Sequence, residues 1–249
     1  MSDVSETRTS LERSRTQLLQ AEKLASVGKL AASVAHEIRN PLTSLKMRLF
    51  SLRQTFGGDP LHSDDFQVVS DEIGRLERII RNFLEFSRPP DLLLRSQALA
   101  PLLDRTLELC GHRLSEKDIA LTRQDGAGLP LVLADADQLK QVFINLLNNA
   151  AEALPEGGKL QLSSAVEAGP EGRLLAVVRF ADNGPGIPPE FQGHIFEPFF
   201  TTKDEGTGLG LCIAARIMAR HQGRLELESS TSQGSTFAVW IPIDPEAET

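Results

Sequence analysis

Apolar residues recur at helical spacing near the start of the chain: Val27, Leu30, Val34, Ile38, Leu42, Leu45, Leu49 and Leu52. At about 100° per residue these fall in one sector, centred opposite His36. The pattern predicts a helix with one buried face and His36 on the outer one. Asn40 lies one turn on and Glu37 is adjacent. Thr43, Met47 and Phe50 continue the outer face as an apolar fringe. Pro41 cannot donate to the carbonyl of Glu37, so a bend is expected there. Upstream, residues 1–10 read as a disordered lead-in. Leu11, Leu18 and Ala25 lie a heptad apart and start the helix near Leu11 as a coiled-coil entry. Gly57-Gly58-Asp59-Pro60 breaks it. A second helix follows, with Phe66, Val69, Ile73, Leu76, Ile80 and Phe83 in steps of three and four. A hairpin of two such helices has too little surface to cover both stripes. Pairing of two hairpins into a four-helix bundle, a homodimer, is favoured over packing on the C-terminal half of the same chain.

Arg88-Pro89-Pro90-Asp91 ends the second helix and reads as an interdomain linker. Beyond it the periodicity becomes mixed. Helices are predicted over 99–114, 137–154 and about 208–222. Strands are predicted over 119–123, 131–133, 159–166, 174–180, 224–228 and 235–241, the last four as two hairpins. The fold class is therefore an α-helical hairpin followed by an α/β sandwich, with a mixed, largely antiparallel sheet covered on one face. The expected domains are a lead-in and coiled-coil helix over 1–24, a helical hairpin over 25–88, a linker over 89–96 and the sandwich over 97–249.

Composition narrows the function. With 249 residues, net charge −8 and no basic stripe, nucleic-acid binding is a poor expectation. No window approaches the ~18 apolar residues of a membrane span, and the first ten residues are polar. A cytoplasmic location is expected, with Cys110 and Cys212 as buried free thiols.

An exposed imidazole beside a carboxylate, with an amide one turn on and a helix-bending proline, exceeds what a solvated surface histidine needs. A neutral imidazole with its second nitrogen held by Glu37 can act as a nucleophile toward an electrophile delivered from elsewhere. Three later stretches could supply one. Asn145 and Asn149 share a helix face. Two amides there either cap neighbouring backbone or offer oxygens to a hard cation such as Mg²⁺ with a triphosphate. Asp182-Asn183-Gly184-Pro185-Gly186-Ile187 follows a strand, where an ionised Asp suits the exocyclic amine of adenine. Gly206-Thr207-Gly208-Leu209-Gly210-Leu211 opens a helix whose free N–H groups suit a phosphate. A Rossmann fingerprint fails here: its third glycine would fall at Leu211, and 199–205 is not a buried strand. Between the glycine motifs, Phe196, Phe199 and Phe200 read as anchors of a mobile lid. Lys203 there either reaches a phosphate or is a solvated charge.

In this order, the motifs resemble those of the catalytic core of bacterial two-component sensor histidine kinases, whose ATP-binding domain is similar to that of the gyrase, Hsp90 and MutL ATPases. The resemblance covers residues 25–243. His36-Glu37-Ile38-Arg39-Asn40-Pro41 resembles the phosphoacceptor box and Asn145 to Asn149 the N box. Asp182 to Ile187 and Gly206 to Gly210 resemble the glycine boxes, and Phe196 to Phe200 the phenylalanine box. Gly234-Ser235-Thr236-Phe237 resembles the last motif, whose Thr lies near the adenine. The resemblance implies ATP with Mg²⁺ as donor, His36 as acceptor and Glu37 as its activator. It implies Asn149, with Asn145 beside it, as metal ligand, and nucleotide contacts from Asp182, Gly184, Gly186, Gly206, Thr207, Gly208, Leu209, Gly210 and Thr236. A response-regulator receiver domain is the implied partner, and the residue at Asn40 implies a phosphatase activity toward it. The ATP-binding domain is expected to swing on the Arg88–Asp91 linker to reach His36. The signal would come from an upstream sensor or a separate sensor protein.

Two departures stand out. Many members carry Lys or Arg shortly after the N box, where this chain has Ala151-Glu152-Ala153, so Lys203 or another base must serve the phosphates. The related ATPases have Glu where this chain has Asn145, and an amide cannot be a general base. Rival readings are a catalytically silent nucleotide-binding scaffold and an ATPase of the related fold.

Overall fold

The computed structural model describes residues 38, 40–54, 60–87, 89–126, 128–169, 172–203 and 206–245. The expected lead-in and helix start, the 57–59 break, and His36 and Glu37 lie outside the described residues. The chain divides into two compact units, Met1–Pro90 and Asp91–Thr249.

In the first unit, α1 (residues 40–54, with Pro41 inside the helical run) and α2 (Pro60–Ser87) pack through Leu42, Ile73 and Ile80, flanked by Leu49 and Leu84. An ion pair between Lys46 and Glu77 (3.1 Å) joins the two helices. Only part of each stripe is covered. Ile38, Leu45 and Leu52, and Val69 and Leu76 on α2, remain between 38% and 53% exposed.

The second unit is an α/β sandwich. A five-stranded sheet runs β2 (Ala120–Asp125), β4 (Lys159–Ala168), β5 (Leu174–Asp182), β7 (Gly234–Pro242), β6 (Arg224–Thr231). Only β2 and β4 pair in parallel. A two-stranded sheet of β1 (Arg95–Gln97) and β3 (Val132–Ala134) sits beside it, joined through the Val132–Ile243 bridge. Helices α3 (Leu99–Glu116), α4 (Ala136–Ala153) and α6 (Gly210–Arg220) accompany the sheet, and α5 (Pro189–Gln192) is a single turn. The α4 ring of Phe143 meets Phe180 of β5 at 5.7 Å, which marks the helix-covered face. The other face is not bare. Leu175, Val177, Ala238 and Trp240 form a second small core there, with the Arg224 guanidinium 4.1 Å from the Trp240 ring centre. A half-solvated sheet face can keep such a cluster when arginine stems and charges roof it. Cys110 and Cys212 are free and buried, and burial pushes the Cys212 thiol up to about 11.

Helix α4 is fixed at both ends. Asp135 is its N-cap, accepting from the backbone of Asp137 (3.1 Å) and Gln138 (3.2 Å). At the other end the Lys117 ammonium donates to the carbonyls of Ala151 (2.7 Å) and Leu154 (3.2 Å), and Pro155 prevents continuation. Asp135 also accepts from Leu93 N–H (3.0 Å), and Gln138 Nε2 donates to the Asp91 carbonyl. Most of the segment expected as linker is thus strapped to the second unit. The buried His221 completes the corner: its Nε2 accepts from Asp135 N–H (3.0 Å) while Nδ1–H donates to the Ile217 carbonyl (2.8 Å).

Burial works to raise the Asp135 carboxyl, but the hydrogen bonds from Leu93, Gln138 and Asp137 outweigh it and hold it below the usual range. A depressed carboxyl contributes stability above its unfolded pKa of about 3.9 and loses it as pH falls further. Asp135→Ala is therefore expected to destabilise the sandwich by about 2 kcal/mol at neutral pH. Denaturant unfolding followed by Trp240 fluorescence should show this gap narrowing below about pH 4. A gap that does not change with pH would refute the assignment.

Candidate functional site

Helix α4 buries Leu139, Val142, Phe143, Leu146, Leu147, Ala150 and Ala151, so Asn145 and Asn149 stand at the edge of its packed face, half-buried. Asn145 Nδ2 donates to the Gly210 carbonyl at 3.2 Å, at the first residue of α6. This commits the amide nitrogen and leaves Oδ1 open. The Asn149 side chain has no hydrogen-bond partner among the described residues. Two half-buried amide oxygens without acceptor duties form a hard donor set of the kind Mg²⁺ takes alongside phosphate and water. Among the described residues there is no cluster of three His, Cys, Asp or Glu that could hold a metal.

At the end of β5, Asp182 Oδ1 accepts from Gly184 N–H (2.8 Å) and Ser235 N–H (3.3 Å). Its Oδ2 has no partner among the described residues and is free to accept from a ligand. The loop that follows needs its glycines. Gly186 has φ +72°, and a Cβ there would lie 1.8 Å from the Thr231 carbonyl oxygen. Gly208, at φ +64°, lies against the backbone of Phe199. Ile187 N–H donates to Ser230 Oγ (2.7 Å), which in turn meets Ser235 Oγ (2.9 Å).

Strand parity sorts the residues around Asp182. Phe180 and Phe237 are paired and share the helix-covered face. Asp182 and Ser235 therefore lie on that face, whereas Ala181 and Thr236 point to the other. The side chain beside Asp182 is Ser235, not Thr236. Counting alternate positions back from Phe237 would have found it.

Leu209 also has a packing role. Its side chain is 2% exposed in the core, and its N–H donates to Thr207 Oγ1 (3.3 Å). It anchors the glycine loop. Of the three aromatics in the loop before it, Phe200 packs on Phe191 and His194, while Phe199 is 59% exposed at φ +66°. Lys203 is neither free nor simply solvated: its ammonium pairs with Glu152 at 2.7 Å. Asn40, on α1, is exposed.

Two family models match the chain. His Kinase A (phospho-acceptor) domain covers residues 26–91, and Histidine kinase-, DNA gyrase B-, and HSP90-like ATPase covers 134–245. The chain is 36% identical to the signal transduction histidine-protein kinase AtoS of Escherichia coli K12, over 96% of this chain and 38% of that protein. It is 38% identical to the sensor histidine kinase ZraS of the same strain, over 92% of this chain and 48% of that one. The chain thus spans half or less of the length of these relatives. Among solved structures, histidine kinase ThkA in complex with response regulator TrrA matches with a TM-score of 0.66 and 30% identity, over 95% of this chain and 68% of ThkA. Full-length ShkA in complex with AMPPNP matches with a TM-score of 0.72 and 27% identity, over 86% of this chain and 46% of ShkA.

The glycine geometry is testable without a ligand. Gly186→Ala is expected to cost the sandwich at least about 2 kcal/mol, by strain and collision. Gly193→Ala, at a negative φ with no atom within 4 Å of the added carbon, should cost under about 1 kcal/mol. Equal unfolding midpoints for the two variants would refute this.

Proposed function

Because the chain belongs to the two-component sensor histidine kinases, we propose that it takes the γ-phosphoryl group of ATP onto His36 and passes it to an aspartate of a response-regulator receiver domain. The observation that carries this reading is the bond from Asn145 to the Gly210 carbonyl, which sets the amide stripe of α4 against the start of α6. Metal-type oxygens and a phosphate-binding helix terminus are thereby neighbours.

In this reading Asp182 Oδ2 accepts from the adenine amine, while Gly184 and Gly186 let the backbone lie close to the base. The N–H groups at the start of α6, reached through Gly206, Thr207, Gly208 and Gly210, bind the phosphates. Asn149 and Asn145 hold Mg²⁺, which when bound neutralises triphosphate charge. Catalysis is then mostly positioning and charge stabilisation. One nitrogen of a neutral His36 imidazole attacks the γ-phosphorus while Glu37 holds the proton on the other. A P–N bond forms, the bond to the β,γ-bridging oxygen breaks and ADP leaves. The amide of Asn145 cannot deprotonate water, which disfavours simple hydrolysis. In the same reading Asn40, exposed on α1, orients water in dephosphorylation of the regulator. The uncovered residues Ile38, Leu45, Leu52, Val69 and Leu76 support a homodimer closed through the helical unit. No helix among the described residues is long and apolar enough to cross a membrane.

Incubation with γ-labelled ATP and Mg²⁺ is expected to give an acid-labile, base-stable label on the protein. His36→Ala should abolish it with ATP affinity unchanged. Labelled protein in that variant would remove His36 from the scheme, and steady phosphate release without label would favour an ATPase. Asn149→Ala should lose the Mg²⁺-dependent part of ATP binding, about tenfold or more. Titration with and without the metal checks this, and unchanged binding would reassign the metal site.

A further inference from the structure

Residues 145, 149 and 152 lie four and three apart on α4 and share a face, so Glu152 extends the amide stripe by one turn. A carboxylate there repels a triphosphate unless it is neutralised. Two bases reach it. Arg113 of α3 lies 2.9 Å away and also donates to Asn148 Oδ1 at 2.9 Å, so it is tied to two points of α4. Lys203 arrives from the glycine-rich connection, and Glu152 is its only side-chain acceptor among the described residues. The Lys203 backbone is itself pinned. Its N–H donates to Thr201 Oγ1 (3.1 Å) and its carbonyl accepts from Gly206 N–H (3.1 Å). A Cβ on Gly206 would lie 2.2 Å from that same hydroxyl oxygen. Burial works to raise the Glu152 carboxyl, but the bond and charge of Lys203, with Arg113, hold it below the ordinary range. The contact is a true ion pair at neutral pH.

An ammonium has three donors, and Glu152 takes one. We propose that Glu152 is a positioning residue: it holds the Lys203 ammonium at the end of the Asn145–Asn149 stripe, so that its remaining donors meet the terminal phosphates of the nucleotide. This rests on the nucleotide reading above. It makes an acidic side chain the support for a phosphate-binding base supplied from another segment.

The test uses the full chain, with KM and kcat for ATP in autophosphorylation and binding of ATP and adenosine. Lys203→Ala should raise KM for ATP about tenfold, and Glu152→Ala roughly three- to fivefold, each with a smaller change in kcat. The double variant should be no worse than Lys203→Ala, since Glu152 acts through Lys203. Glu152→Lys in the Lys203→Ala background should recover ATP affinity, and adenosine affinity should hold throughout. A fall in KM for Glu152→Ala would mean the carboxylate sequesters Lys203. Additive effects, or adenosine affinity falling in step, would mean a structural role. Any of these overturns the proposal. Absent ATP binding in the unaltered chain would instead overturn the nucleotide reading itself.

Discussion

The sandwich depends on the way α4 is held. One face of this helix fills the core with Leu139, Val142, Phe143, Leu146 and Leu147, while Asn145, Asn149 and Glu152 stand beside that packing. Half-buried amides whose oxygens accept no hydrogen bond cost stability in any fold. They are sustained here because the helix cannot rotate or slide away from them. Asp135 caps the start and Lys117 the end, and the buried imidazole of His221 accepts the Asp135 N–H. The tautomer of that ring follows from its partners. A carbonyl oxygen takes its one proton, and a backbone N–H occupies its lone pair. The cap, the start of the unit at Asp91–Leu93 and the end of α6 therefore form one connected corner.

The glycine loops answer to the same constraint from the other side. A strand end and a helix start come close to α4, and backbone is brought there in conformations that side chains resist. The positive φ at Gly186 and Gly208 is filled by contact, with Thr231 and Phe199 backbone occupying the space a methyl group would need. Phe199 itself accepts a positive φ while donating to the Gly208 carbonyl (3.0 Å). Strain is thus shared across the two sides of the loop, a pattern found where a site must be shaped before its ligand arrives.

Much of this was legible in sequence. The helical periodicity of α3, α4 and α6 and the two hairpins lie within a few residues of their expected places, because each carries an unambiguous apolar period. The Asn145–Asn149 spacing and the paired glycines were visible for the same reason: they are local. What escaped was non-local or depended on parity. Thr236 and Ser235 differ only in which side of β7 they occupy, and a composition-based motif does not fix that. The burial of Leu209 within the glycine loop left no mark in the motif itself. The Asp135–His221 bond spans 86 residues and the Glu152–Lys203 pair 51, so neither leaves a local trace. The sheet was expected to be covered on one face. The small Trp240 core on the other depends on Arg179 and Arg224 lying over an aromatic ring, an arrangement that hydropathy alone scores as solvent-facing.

The helical unit obeys a different economy. Its buried residues, Leu42, Ile73 and Ile80, alternate with comparably apolar ones left in water: Leu45, Val69 and Leu76. A helix pair that kept only its internal contacts would gain nothing from those positions, and substitution by charged residues would make it more soluble. Their spacing of three and four continues the same seam on the same helices. Single scattered apolar residues on a surface need no explanation, but a periodic row does. The row is apolar for the reason the core is: it is a surface meant to be covered. In the homodimer proposed above, a symmetric partner covers it without requiring any second sequence, since each exposed stripe is then matched by its own copy.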